Sequence, residues 1–190
     1  MNLQPVSAYP QTASDRVLID NVSYTKTLPA LTLGSFKLGP SYSGTLTLGG
    51  PLTIDNSAGC DGSLSLLCTG GNALNVGNYP INISGNYNTQ SGAQITLNQS
   101  TVTFVGTSPS TIFGDNTFYN FKCTTPGKVL DFDAGRTQTI NGNFLISGSA
   151  QSKVSLCSAI DGTRWNLRLN GTKSISNAFI KDSNLSLIHI

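Results

Sequence analysis

The side chains whose types and spacing come closest to a reactive group are Asp131, Asp133 and Arg136, in the stretch VLDFDAGR. Alternation along an extended strand sends Leu130 and Phe132 to one face and both carboxylates to the other, roughly 7 Å apart. At that separation two carboxylates can share a calcium ion, or work as a paired acid and base. Two ligands make a poor calcium site without further oxygens, so the plainer reading is two solvated, outward carboxylates partly neutralised by Arg136.

Two other groups bear weighing. Asp55, Asn56 and Asp61 surround Cys60 and could gather a cation on a loop, although their spacing matches no calcium-loop pattern. Trp165, at the head of WNLRL, would be a sugar-stacking platform if exposed. Its parity with Leu167 and Leu169 places it in a core instead. A carbohydrate-binding strip would need Trp165, Tyr119 and Phe179 on one outer face; Tyr119 is more simply a core or corner residue, and Phe179 is expected to point outward.

The four cysteines, Cys60, Cys68, Cys123 and Cys157, match neither a zinc-knuckle spacing nor a CxxC redox pair. Cys60 and Cys68 flank the turn-like DGS and form the one plausible bridge. Cys123 shares parity with Tyr119 and Phe121 and should point inward, whereas Cys157 has parity opposite to Val154 and Leu156 and should point outward. These two are therefore expected to be unbonded.

The elements that must position these groups are short strands. Only 11% of the chain is charged, all nine acidic residues are Asp, and polarity comes instead from Gly, Ser, Thr and Asn. Helix-forming runs are missing. In the stretch 101–123, TVTFVGTSPSTIFGDNTFYNFKC, two alternating strands are separated by turn residues, with no room for a helix of ordinary length. A phrase of apolar-x-apolar, turn, apolar-x-apolar recurs at LTLGGPLTI (46–54), LNVGNYPINI (74–83), ITLNQSTVTF (95–104), LDFDAGRTQTI (130–140) and LRLNGTKSI (167–175). The starts lie 28, 21, 35 and 37 residues apart, so insertions of variable length separate them.

Repetition of strands at this period indicates a solenoid, a propeller or an array of sandwiches. A propeller wants a stricter period and sandwiches want longer strands, so the expectation is an all-β, right-handed parallel β-helix, or β-solenoid, with irregular coil lengths. Coils stacked about 4.8 Å apart would align inward side chains into apolar columns. Like charges stacked on the outside at that spacing repel, which accounts for the low charge. The expected organisation is a leader or linker over 1–14, a solenoid over 15–183 and a tail over 184–190.

The wording of LTLGSFKLGPSYSGTLTLGGPLTI, STVTFVGTSPSTIFGDNTFYNF and GTRWNLRLNGTKSISNAFIKDSN resembles the repeats of very large bacterial surface and secreted proteins with β-helix regions. The resemblance spans most of residues 15–183. It implies an extracellular or cell-surface location and a fragment of a much larger protein. It also implies a non-catalytic, structural or adhesive role, with extracellular polysaccharide or cell-surface components as partners. Cys123 and Cys157 depart from the repeat wording. The closing SLIHI, with His189, breaks the pattern and resembles a non-native tail.

The alternative is an enzyme of the pectate-lyase type or a carbohydrate-binding module on a similar coil. Such enzymes gather carboxylates with His or Arg in one groove, and here Glu is lacking and His189 is the single histidine. No cofactor is called for. The net charge of +2 is spread thinly, without a basic run, which sets nucleic acid aside. No window supplies the apolar length of a membrane helix, and the N-terminal stretch has neither the charged nor the apolar region of a signal peptide.

Overall fold

The computed structural model describes Pro10 and residues 12–23, 25–68, 72–89 and 94–186. Among these residues the chain forms strands and turns only, and every strand pairing is parallel. The strands stack into a parallel β-helix in which each coil runs through three faces.

The first face is an eight-stranded sheet of Arg16–Ile19, Ser35–Leu38, Leu64–Leu66, Tyr87–Asn88, Ser110–Phe113, Val129–Phe132, Val154–Ser158 and Ala178–Ile180. The third is a seven-stranded sheet of Leu31–Leu33, Leu52–Ile54, Ile81–Ile83, Thr101–Phe104, Asn120–Cys123, Asn143–Ser147 and Thr172–Ser176. Between them the chain makes a second face that is split. Lys26–Leu28, Leu46–Leu48, Asn72–Asn75 and Gln94–Thr96 form one four-stranded sheet, while Asn116–Phe118, Thr137–Ile140, Trp165–Leu169 and Ser183–Ser186 form another.

The irregular coil length expected from the sequence is present, but the phase of the repeat is not the one that the phrases suggest. On the first face Val17, Phe36, Leu64, Tyr87, Ile112 and Phe132 lie over one another, 19, 28, 23, 25 and 20 residues apart. The phrases at 46–54, 74–83 and 95–104 span the second and third faces. That at 130–140 spans the first and second, and that at 167–175 the second and third. All three faces use the same apolar-x-apolar alternation, so the sequence marks strands without saying which face each belongs to.

Inside, the columns are continuous. Leu33, Ile54, Ile83, Phe104, Cys123, Ile146 and Ile175 are in register on the third face, and all but the last are buried. Each fully buried aliphatic or aromatic side chain contributes about 1.5–3 kcal/mol. The middle coils are tied by aromatics: the Phe121 ring lies 5.2 Å from Phe104, 5.2 Å from Phe118 and 5.5 Å from Phe144, centroid to centroid. Corners are close-fitted. Gly62 takes φ = 63°, a left-handed conformation suited to glycine, and a Cβ on Gly85 in the next coil would overlap the Asp61 carbonyl.

Cysteine placement corrects one expectation. All four thiols are free, so Cys60 and Cys68 are not bridged. Cys68 follows the Leu64–Leu66 strand into the core, whereas the Cys60 thiol lies over Gly34 and accepts a hydrogen bond from Arg16 Nε at 3.4 Å. Strand alternation and the corner thus send the two side chains to different neighbours. Cys123 is buried and Cys157 half-buried on the outer side of its strand, as parity requires.

Leu130 and Phe132 face the core and Asp131 faces out, so Phe132→Asp and Asp131→Ala should behave as opposites. Phe132→Asp buries a carboxylate between Phe121 and Trp165 and should abolish cooperative unfolding. Asp131→Ala should move the midpoint far less; chemical denaturation followed by Trp165 fluorescence distinguishes them, and equal effects would mean reversed faces.

Candidate functional site

The Val129–Phe132 strand and the corner after it carry the acidic pair. Both carboxylates are half-buried and outward, but they do different jobs. Asp133 lies past the strand end, where its Oδ2 accepts the Gly114 N–H at 3.2 Å from the coil below. Arg136 sits 3.3 Å from Asp115 and 4.0 Å from Asp133, while the Asp115 Oδ1 accepts the Thr137 N–H at 2.7 Å. These groups close the corner between the first and second faces of two adjacent coils. Arg136 and Asp115 are well exposed, and ion pairs of that kind contribute about 0.2–1 kcal/mol.

Asp131 belongs to a separate outer file. It lies in register with Thr111 on one side and Cys157 on the other. Burial raises the Asp131 carboxyl pKa above its usual value. Burial also raises the Cys157 thiol, with the Asp131 charge adding to the rise and Lys181 opposing it. Lys181 itself pairs with Asp161 and lies 3.9 Å from Asp182. A thiol held protonated in this way is a weak nucleophile and a weak metal ligand. The expected carboxylate pair is therefore divided, Asp131 with a thiol and Asp133 with a backbone amide.

The loop around Cys60 uses its carboxylates on itself. Asp55 accepts the Ser57 N–H at 3.0 Å and its hydroxyl at 2.9 Å, and Asp61 accepts the Ser63 N–H at 3.0 Å. Asn56 reaches across the intervening coil, its Nδ2 donating to Ser108 Oγ at 3.2 Å and its backbone N–H to Ser84 Oγ at 2.8 Å. Among the described residues, no group of three or more His, Cys, Asp or Glu side chains is arranged to hold a metal ion.

Trp165 is 0% exposed and stacks on Phe132 at 4.0 Å with a 14° tilt, while its Nε1 donates to the Lys181 carbonyl at 3.2 Å. Neither face of the indole is open to a sugar. Tyr119 is half-buried at a corner and Phe179 is 49% exposed on the outside of the first face, so the three aromatics do not form a strip. His189 lies outside the described residues.

Two buried polar features went unread in the sequence. Where the second face changes sheet, Thr89 Oγ1 donates to Asn116 Oδ1 at 2.6 Å. Asn116 Nδ2 donates to Gln138 Oε1 at 2.9 Å, and Gln138 Nε2 to the Gly114 carbonyl at 2.9 Å. Lys128 is buried as well, its Nζ on the carbonyls of Ser84 and Ser108. Parity was the available signal: Asn116 alternates with Phe118, Gln138 with Ile140 and Lys128 with Leu130.

Compared with known proteins, the chain matches no family model, no curated protein and no solved structure.

Because the Asp131 carboxyl is raised by burial, the folded state holds its proton more tightly than the unfolded chain does. Stability contributed by that proton is lost as pH rises from about 4 through the raised folded value. Asp131→Asn, which does not titrate, should gain on the wild type over that interval, read as the difference in urea midpoint from pH 3 to pH 7. A difference that stays constant would refute the burial of this carboxyl.

Thiol accessibility offers an independent check. Cys60 should react readily with Ellman's reagent in the native protein and Cys157 more slowly, its thiol being held protonated, whereas Cys68 and Cys123 should react only after unfolding. A count of two fewer reactive thiols in the fully unfolded, unreduced chain would reinstate a bridge.

Proposed function

We propose that this chain is a non-catalytic structural segment, a rigid β-solenoid spacer with an adhesive outer surface, of a large extracellular bacterial surface protein. The observation that carries the proposal is the chemistry of the outer files. On the third face Thr32, Thr53, Asn82 and Thr103 lie in register, and on the second face Thr27, Thr47 and Asn75. These positions are uncharged and laterally packed, as close outer stacking favours, and the third-face file runs on through Lys122 and Leu145 to Ser174. The continuous core beneath them joins each coil to the next, so every step along the axis is held by the ladders of its faces together. The repeat wording supports the bacterial and cell-surface part of the reading.

Rigidity and inertness test the proposal together. Thr32→Cys and Ser174→Cys mark the two ends of one outer file, six inter-strand steps apart, in a background with Cys60 and Cys157 replaced by serine. Spin labels there should report one narrow distance near 29 Å, from about 4.8 Å per step, with the label arms added. A broad distribution would refute the spacer. Release of unsaturated or reducing ends from pectate or other acidic polysaccharides would favour the enzyme instead.

A further inference from the structure

We propose that Lys128 is a proton-sensitive clasp, a buried amine that ties together three consecutive coils at the edge between the third and first faces, in a site matched to the neutral amine rather than the ammonium.

The placement follows from alternation. Lys128 precedes Val129–Phe132 by one residue and shares the parity of Leu130 and Phe132, so its side chain enters the interior. The residue is 0% exposed. Its Nζ donates to the Ser108 carbonyl at 2.6 Å, one coil below, and to the Ser84 carbonyl at 2.9 Å, two coils below. The Ser84 carbonyl also accepts the Ser110 hydroxyl at 3.2 Å. Corners that differ in length are thus held by one side chain spanning them.

The chemistry of the site suits an uncharged group. Among the described residues no carboxylate lies within ion-pair distance of Lys128. The titratable group that faces it is the Cys123 thiol, whose pKa burial raises against the smaller, opposing pull of the Lys128 charge. The segments 84–86, 105–109 and 110–113 carry no ionisable side chain. On the adjoining strands Lys122, Asp131 and Cys157 alternate with buried residues and lie on the outer side, and Lys153 in the corner above is exposed. A neutral amine has two N–H groups, which match the two carbonyls; an ammonium brings a third proton and a charge that must be desolvated without a counter-ion. Burial accordingly lowers the Lys128 pKa to about 8.

The direction of the effect is set by linkage. An unfolded lysine holds its proton up to about pH 10.4, so between that value and the lowered folded one the folded chain carries the fewer protons. Stability contributed by this residue therefore rises with pH through that interval, and the clasp tightens in mildly alkaline medium. Below it, both states are charged and the desolvation cost stands in full.

The direct test is an NMR titration of the wild-type chain with labelled lysine side chains, in which Lys128→Arg identifies the Lys128 resonance by its loss. The Lys128 resonance should titrate near pH 8, about two units below the ordinary value for a lysine side chain. In equilibrium unfolding, the wild type should gain on Lys128→Met by up to tenfold in the unfolding constant per pH unit between pH 8 and 10. A Lys128 resonance that titrates at the ordinary lysine value of about 10.4 overturns the proposal, as does a wild-type to Lys128→Met difference that is flat with pH. If Lys128→Met does not fold, the wild-type titration decides alone.

Discussion

Everything in this molecule depends on one constraint: each inward side chain must lie on the inward side chain of the coil below. A single coil of three short strands buries little by itself, since the apolar side chains of its faces meet in the interior but stay open above and below until further coils stack on them. Because side chains alternate with period two, a slip of one residue would turn a whole strand's core face outward. The columns from Leu33 to Ile146 and from Phe36 to Phe132 are therefore both the source of stability and the element that sets register. Aromatics centred on Phe121 strengthen the middle, where rings at 5–6 Å add about 0.5–1.5 kcal/mol per pair beyond their burial.

Freedom remains where the columns do not reach. Outward positions need only tolerate close lateral stacking, and Thr, Asn and Ser meet that requirement better than charges do. Corners need only return the chain to the next strand. The chain exploits this at the edge between the third and first faces, where the loop bearing Asp55 and Asp61 is long and the turn through Gly85 is tight. Variation in coil length is absorbed there without disturbing register. Carboxylates at the corners, such as Asp55, Asp61, Asp115 and Asp133, accept backbone N–H groups and so serve the turns themselves.

The interior is not uniformly apolar, and two of its polar features fall where the architecture changes. Thr89, Asn116 and Gln138 form a hydrogen-bonded ladder at the point where the second face passes from one sheet to the next. Lys128 joins corners of unequal length. Both place buried donors on available acceptors, which is the condition for polar groups to be tolerated in a core. In each case the links between coils come from residues some 20 to 44 positions away in the chain.

Composition and alternation were enough to establish an all-β solenoid, the inward side of the strands at Leu130 and Phe132, the inward Cys123 and the outward Cys157. Those properties are local: a period of two within four residues decides them, and stacking imposes the same choice on every coil. Which face each strand joins, where the second face breaks, and that Cys60 and Cys68 part company were decided only by the fold, because all three faces are written with the same pattern and the corners alone assign the phase. The same holds for the acidic pair. Asp131 and Asp133 look equivalent in the sequence, yet one meets a thiol and the other an amide, since each side chain's environment is supplied by the coils above and below it.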